Sequence, residues 1–205
     1  MVINWYGEGC FRIQSGDTTL KVDPFDSSTG LTPPRFKADL TIFTDTNYPL
    51  PDSASESEDG TIIVGPGEYE IKGIQVLGWQ AEAEKEKIKS IYLVNFEDMR
   101  LGFLGNLKSI PKAEAVEELD GVDILFVPAG GESFASQASI GKLIKQISPK
   151  IIIPSFFSVP NLKRKADKIS VFLDEIGKQD TKPQEKLTIK KKELSQSMQV
   201  IVLTV

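Results

Sequence analysis

A chain of 205 residues without a single histidine cannot build the imidazole sites on which most catalytic zinc centres rest. Its one cysteine, Cys10, excludes an intrachain disulfide, and no apolar run approaches the roughly 20 residues that span a bilayer. A net charge of −5 argues against a dedicated nucleic-acid binder, while 40% apolar and 26% charged residues suit one large globular domain over residues 1–205.

The pattern after Met1 is strand-like and not a charged, apolar leader, so a cytoplasmic location without a membrane partner is expected. Residues 2–13 read as a strand alternating around Gly7 and Gly9, followed by a Ser15-Gly16-Asp17 turn and a second strand, Thr18–Val22. The two glycines mark a bulge or sheet crossing, or leave room for a ligand or another backbone. Asp23 stands at a strand end ahead of Pro24, as a turn former or an orienting carboxylate. Residues 26–37 are a turn-rich connector.

Leu40–Phe43 is apolar and β-branched, and it breaks at Thr44-Asp45-Thr46-Asn47 before Pro49 and Pro51. A strand that delivers polar side chains at its carboxyl end is where α/β folds place their chemistry. Residues 51–60 are small and acidic, which predicts a mobile surface loop. Strands follow at 61–64, 68–71, 74–78, 88–95 and 99–104, with the alternating charges of 81–87 read as a solvated hairpin tip.

A short helix is expected at 113–119, a buried strand at 122–128 and a tight turn through Gly130-Gly131; no phosphate-loop Lys-Ser/Thr follows the glycines. An amphipathic helix at 136–147, a strand at 151–154, a helix at 169–176 and a final strand pair at 187–191 and 199–205 complete the chain. Residues 161–192 carry ten Lys/Arg against five Asp/Glu. This basic C-terminal stretch reads as a solvated helix face and strand edge, with phosphate binding as the less favoured alternative.

Several segments, in order, resemble the metallo-β-lactamase-fold hydrolases, in particular the small UlaG-like metal-dependent group. Trp5-Tyr6-Gly7-Glu8-Gly9-Cys10-Phe11 resembles the opening strand, with Glu8 at the usual histidine, and Val22-Asp23-Pro24-Phe25 resembles the Asp-Pro turn. Gly65-Pro66-Gly67-Glu68-Tyr69-Glu70 with Gly73-Ile74 is the most specific match. In that family the strand at 40–43 leads into Thr-His-x-His-x-Asp-His, whose side chains hold two metals. Here Asp45 and Asn47 stand at the first two histidines, and Pro49 and Leu50 at the Asp-His pair. Asn106 replaces the metal-bridging aspartate, Phe156 the histidine of a Pro-x-His strand end, and Trp79 stands where another histidine would be, either capping the pocket or, as is more usual for a tryptophan beside a glycine, packing in a core or interface.

The resemblance implies a four-layered αββα sandwich of the α/β class. It also implies a former active-site pocket formed by Glu8, Asp23, Asp45, Asn47, Pro49, Leu50, Trp79, Asn106 and Phe156. With every histidine ligand replaced, the leading expectation is a catalytically degenerate protein with no catalytic residue, metal or cofactor. It would bind a small ligand or protein partner of unidentified chemistry, and self-association is left open. The alternatives are a hydrolase rebuilt on oxygen ligands from Glu8, Asp23, Asp45 and Asn47, and a nucleic-acid-binding relative.

Overall fold

A computed structural model describes residues 1–47, 60–84, 86–131 and 133–205, with no description of the side chains at 82–84. Pro49, Leu50 and, apart from Gly60, the loop expected at 51–60 therefore lie outside the described residues.

The first strands are β1 (Val2–Trp5), β2 (Phe11–Ser15) and β3 (Thr18–Val22). The single strand expected over 2–13 is instead an antiparallel hairpin, Val2 opposite Gln14 and Trp5 opposite Phe11. Residues 7 and 8 reverse the chain at φ 99° and 48°, and the Tyr6 and Cys10 amides close the loop. β4 (Leu40–Phe43) and β6 (Thr61–Val64) then add in parallel, and β13 (Lys186–Thr188) pairs with β1. The first sheet thus runs β13-β1-β2-β3-β4-β6.

The second sheet contains β7 (Gly67–Ile71), β8 (Ile74–Glu84), β9 (Lys87–Phe96), β10 (Met99–Phe103), β11 (Ile124–Pro128), β12 (Ile151–Ser155) and β14 (Gln199–Val200). Their order is β14-β12-β11-β10-β9-β8-β7, and β5 (Asp45–Asn47) pairs with β9. The solvated tip expected at 81–87 is therefore mostly strand, because β8 runs on to Glu84 and β9 begins at Lys87 with β5 alongside. The expected final strand pair is also corrected: β13 and β14 belong to different sheets.

The two sheets face each other across one apolar core and form, with the helices, an αββα sandwich. Phe11 of the first sheet meets Phe126 of the second at 4.6 Å between ring centroids, and Phe126 stacks on Phe103 at 4.4 Å. β11 and β12 are buried along their whole length, as expected of parallel strands covered on both faces.

The helices are α1 (Ala113–Glu118), α2 (Gln137–Ile147) and α3 (Ile169–Glu175), with α2 in contact with both others. α2 buries Ile140, Leu143, Ile144 and Ile147 on one stripe. Its start is capped by Ser136 and its end by Ser148 in the left-handed conformation. Among the described residues no helix is long and apolar enough to cross a membrane.

Candidate functional site

Strand ends from both sheets converge on one cleft of about 580 Å³. Glu8 comes from the β1–β2 turn, Asp23 follows β3, Asp45 and Asn47 follow β4, Asn106 follows β10 and Phe156 follows β12; all six line the cleft. Trp79 does not. It lies opposite Ile91 within β8, packed at the core margin, because β8 continues through it and does not end at Gly78.

Glu8, Asp23 and Phe156 all adopt positive φ, at 48°, 41° and 61°. Such backbone is costly for non-glycine residues, and tertiary bonds hold each one. The Phe156 amide donates to the Glu8 carbonyl at 3.1 Å, and the Asp23 amide to the Ile42 carbonyl at 3.0 Å. Trp5 Nε1 donates to the same Glu8 carbonyl at 2.9 Å.

Each carboxylate of the cleft has its own partner. Glu8 receives a two-pronged grip from Arg164, Nη2 at 2.8 Å from Oε2 and Nε at 3.2 Å from Oε1. Arg164 Nη2 also donates to the Phe156 carbonyl at 2.7 Å, and its guanidinium lies 5.0 Å from the Phe134 ring centroid. Asp45 Oδ2 accepts from Asn106 Nδ2 at 2.8 Å and pairs with Lys87 Nζ at 3.2 Å. Asp23 accepts from the Thr44 amide at 2.6 Å and the Thr44 hydroxyl at 2.5 Å. Burial pushes the Asp23 carboxyl up to about 7; the Thr44 bonds oppose that shift and the charge of Asp45 adds to it.

Phe156 occupies space beside Asp23. A β-carbon added at Gly9 would lie 2.5 Å from Phe156 Cζ and 2.9 Å from Asp23 Oδ2, so only glycine lets the ring come this close. Phe134 packs on Phe156 at 4.8 Å and completes an aromatic wall.

These residues do not fit a zinc pair. No imidazole is available, cations of the chain already hold Glu8 and Asp45, and Asn106 turns its amide hydrogens toward Asp45. The expected oxygen-ligand cluster of Glu8, Asp23, Asp45 and Asn47 is not assembled either: among the described residues no three His, Cys, Asp or Glu side chains group around a common point.

Sequence reasoning missed Arg164, Lys87 and Phe134. Arg164 sits in the basic run 163–165, expected as a solvated helix face, but residues 161–168 are irregular and carry Arg164 into the cleft wall. The available signal was an arginine between two lysines, since the planar guanidinium is the group that matches a carboxylate in two places.

Fold and cleft together define an αββα sandwich with polar side chains from strand ends of both sheets gathered at one mouth. Residues 2–155 match the model of the beta-lactamase superfamily domain, and the chain belongs to that family. It is similar to a candidate zinc-dependent hydrolase of the metallo-β-lactamase superfamily from Thermotoga maritima, at 21% identity and TM-score 0.80, covering 98% of this chain and 97% of that one. A metallo-hydrolase from the hyperthermophilic archaeon Ignicoccus hospitalis aligns at 12% identity and TM-score 0.68, covering 92% and 99% of the two chains. An isothiocyanate hydrolase from Delia radicum gut bacteria aligns at 13% identity and TM-score 0.62, again covering 92% and 99%. At these identities the likenesses establish the fold alone. No curated protein matches the chain.

Proposed function

We propose that this chain is a catalytically degenerate, metal-free member of its superfamily whose cleft serves a binding or assembly role. The observation that carries the reading is the two-pronged grip of Arg164 on Glu8, beside the ring of Phe156. A bound metal would supply positive charge and an open coordination position for water. In this cleft Arg164 and Lys87 already supply the charge, and an aromatic ring stands where the resemblance puts a ligand.

The reading treats residues 1–205 as one domain, supported by a core that includes both Ile3 and Leu203. A cytoplasmic location belongs to the same proposal, supported by a single, buried cysteine. The partner is a small ligand, another protein or a second copy of the chain. Nucleic acid is the weaker candidate, because Lys191 of the basic stretch is engaged by the buried Asp123.

Elemental analysis of the purified protein, after zinc, manganese, iron, magnesium and calcium are offered in excess, tests the reading. Less than stoichiometric metal is expected for each. Stoichiometric metal that is lost on Asp45→Ala would overturn the proposal and call for a hydrolase substrate screen.

A further inference from the structure

Two acceptor atoms in the cleft remain without donors. Asp45 Oδ1 and Asn106 Oδ1 are closed to solvent and, among the described residues, accept no hydrogen bond. Their side chains are joined through Asn106 Nδ2 and Asp45 Oδ2 at 2.8 Å. That bond fixes the amide orientation, because an ionised carboxylate only accepts and so must face the NH₂ group. Buried acceptors left unmatched are costly, so this pair suits a donor that no described residue supplies.

The surroundings limit what that donor can be. Glu8 with Arg164 and Asp45 with Lys87 cancel in charge, and the other two carboxylates of the lining, Asp23 and Asp26, accept from Thr44 and from the Ser28 amide. A further cation would face Lys87, and a further anion would face the two bare oxygens. A neutral group with two hydrogens on one nitrogen matches two acceptors, and a carbonyl on the adjoining carbon suits the Lys87 ammonium, which has hydrogens beyond the one it gives Asp45. Because both oxygens are closed to solvent, a ligand reaches them only once a side chain beside them swings aside, and Lys87, bonded to Asp45 and 41% exposed, is placed to do so. Phe43, Phe134 and Phe156 offer apolar surface for the rest of the molecule.

We propose that the cleft binds a primary carboxamide, with the NH₂ group donating to Asp45 Oδ1 and Asn106 Oδ1, the carbonyl accepting from Lys87, and an apolar or aromatic body against the phenylalanines. The proposal rests on the binding reading given above and names the ligand class.

Benzamide, benzoate and benzylamine, titrated into the intact protein and followed by amide chemical shifts, provide the test. Benzamide is expected to bind in preference to the other two, shifting the Asn106 side-chain resonances, and to weaken by about tenfold in Asn106→Ala. Lys87→Met, which leaves the two bare oxygens in place, should weaken benzamide less than Asn106→Ala does. Preference for benzylamine, no saturable benzamide binding, or undiminished binding in a folded Asn106→Ala protein would each overturn the assignment. So would a crystal soaked in benzamide that keeps only a water bridging the two oxygens. Ammonia released from bound benzamide would instead overturn the non-hydrolytic reading and leave the ligand class standing.

Discussion

Arg164 holds both carboxylate oxygens of Glu8, at 2.8 and 3.2 Å, across 156 positions of sequence. The pair ties the segment before α3 to the β1–β2 turn, and the same guanidinium takes the Phe156 carbonyl at 2.7 Å. Arg164→Ala leaves Glu8, whose side chain is 14% exposed, without its counter-charge. A loss of about 1–3 kcal/mol in chemical denaturation is expected. Arg164→Lys should recover only part of it, since an ammonium cannot reproduce the planar fork. Equal stability of Arg164→Ala and the parent protein would show that the pair is ornamental.

Asp23 gives the stability curve a recognisable pH dependence. Its carboxyl rises from 3.8 to about 7 on folding, chiefly through burial. The folded state therefore binds the proton more tightly than the unfolded chain does. The contribution of this group is present in full below the unfolded value, declines as pH rises between about 4 and 7, and is gone above the folded value. Denaturation midpoints measured across that interval should fall with pH, and Asp23→Asn should flatten the slope. A slope unaltered by Asp23→Asn would assign the titration to another group.

Gly9 and Phe156 form a coupled pair. Gly9→Ala drives a β-carbon to 2.5 Å from the Phe156 ring, and overpacking of this kind costs about 1–3 kcal/mol. In the double variant Gly9→Ala/Phe156→Ala the clash with the ring is gone, so the combined loss should be smaller than the sum of the single losses. Strict additivity in the double-mutant cycle would mean that the ring moves freely out of the way.

Much of the fold was legible because its signals are local. The apolar runs of β11 and β12, the helical spacing of α2 with Ser136 before it, and the Ser15-Gly16-Asp17 turn each follow from neighbouring residues. Long-range pairing was less legible: residues 2–13 read as one strand because alternation continues through Gly7 and Gly9, and only the positive φ at positions 7 and 8 makes a hairpin. The cleft divides the same way. Glu8, Asp23, Asp45, Asn47, Asn106 and Phe156 could be picked out because they stand in recognisable segments. Arg164 and Lys87 could not, because what distinguishes each is a carboxylate distant in sequence. Of the two readings of Trp79, the structure shows the packing one, because β8 runs through that position into a longer strand.

The two short strands β13 and β14 lie on opposite sides of the sandwich, β13 against β1 in one sheet and β14 against β12 in the other. Between them Lys191 grips the buried Asp123. During synthesis, then, β1 is made first but acquires its outer neighbour only when residues 186–188 have left the ribosome, and β12 must likewise wait for residues 199–200. The nascent protein therefore lacks an outermost strand of each sheet until one late stretch of chain supplies both.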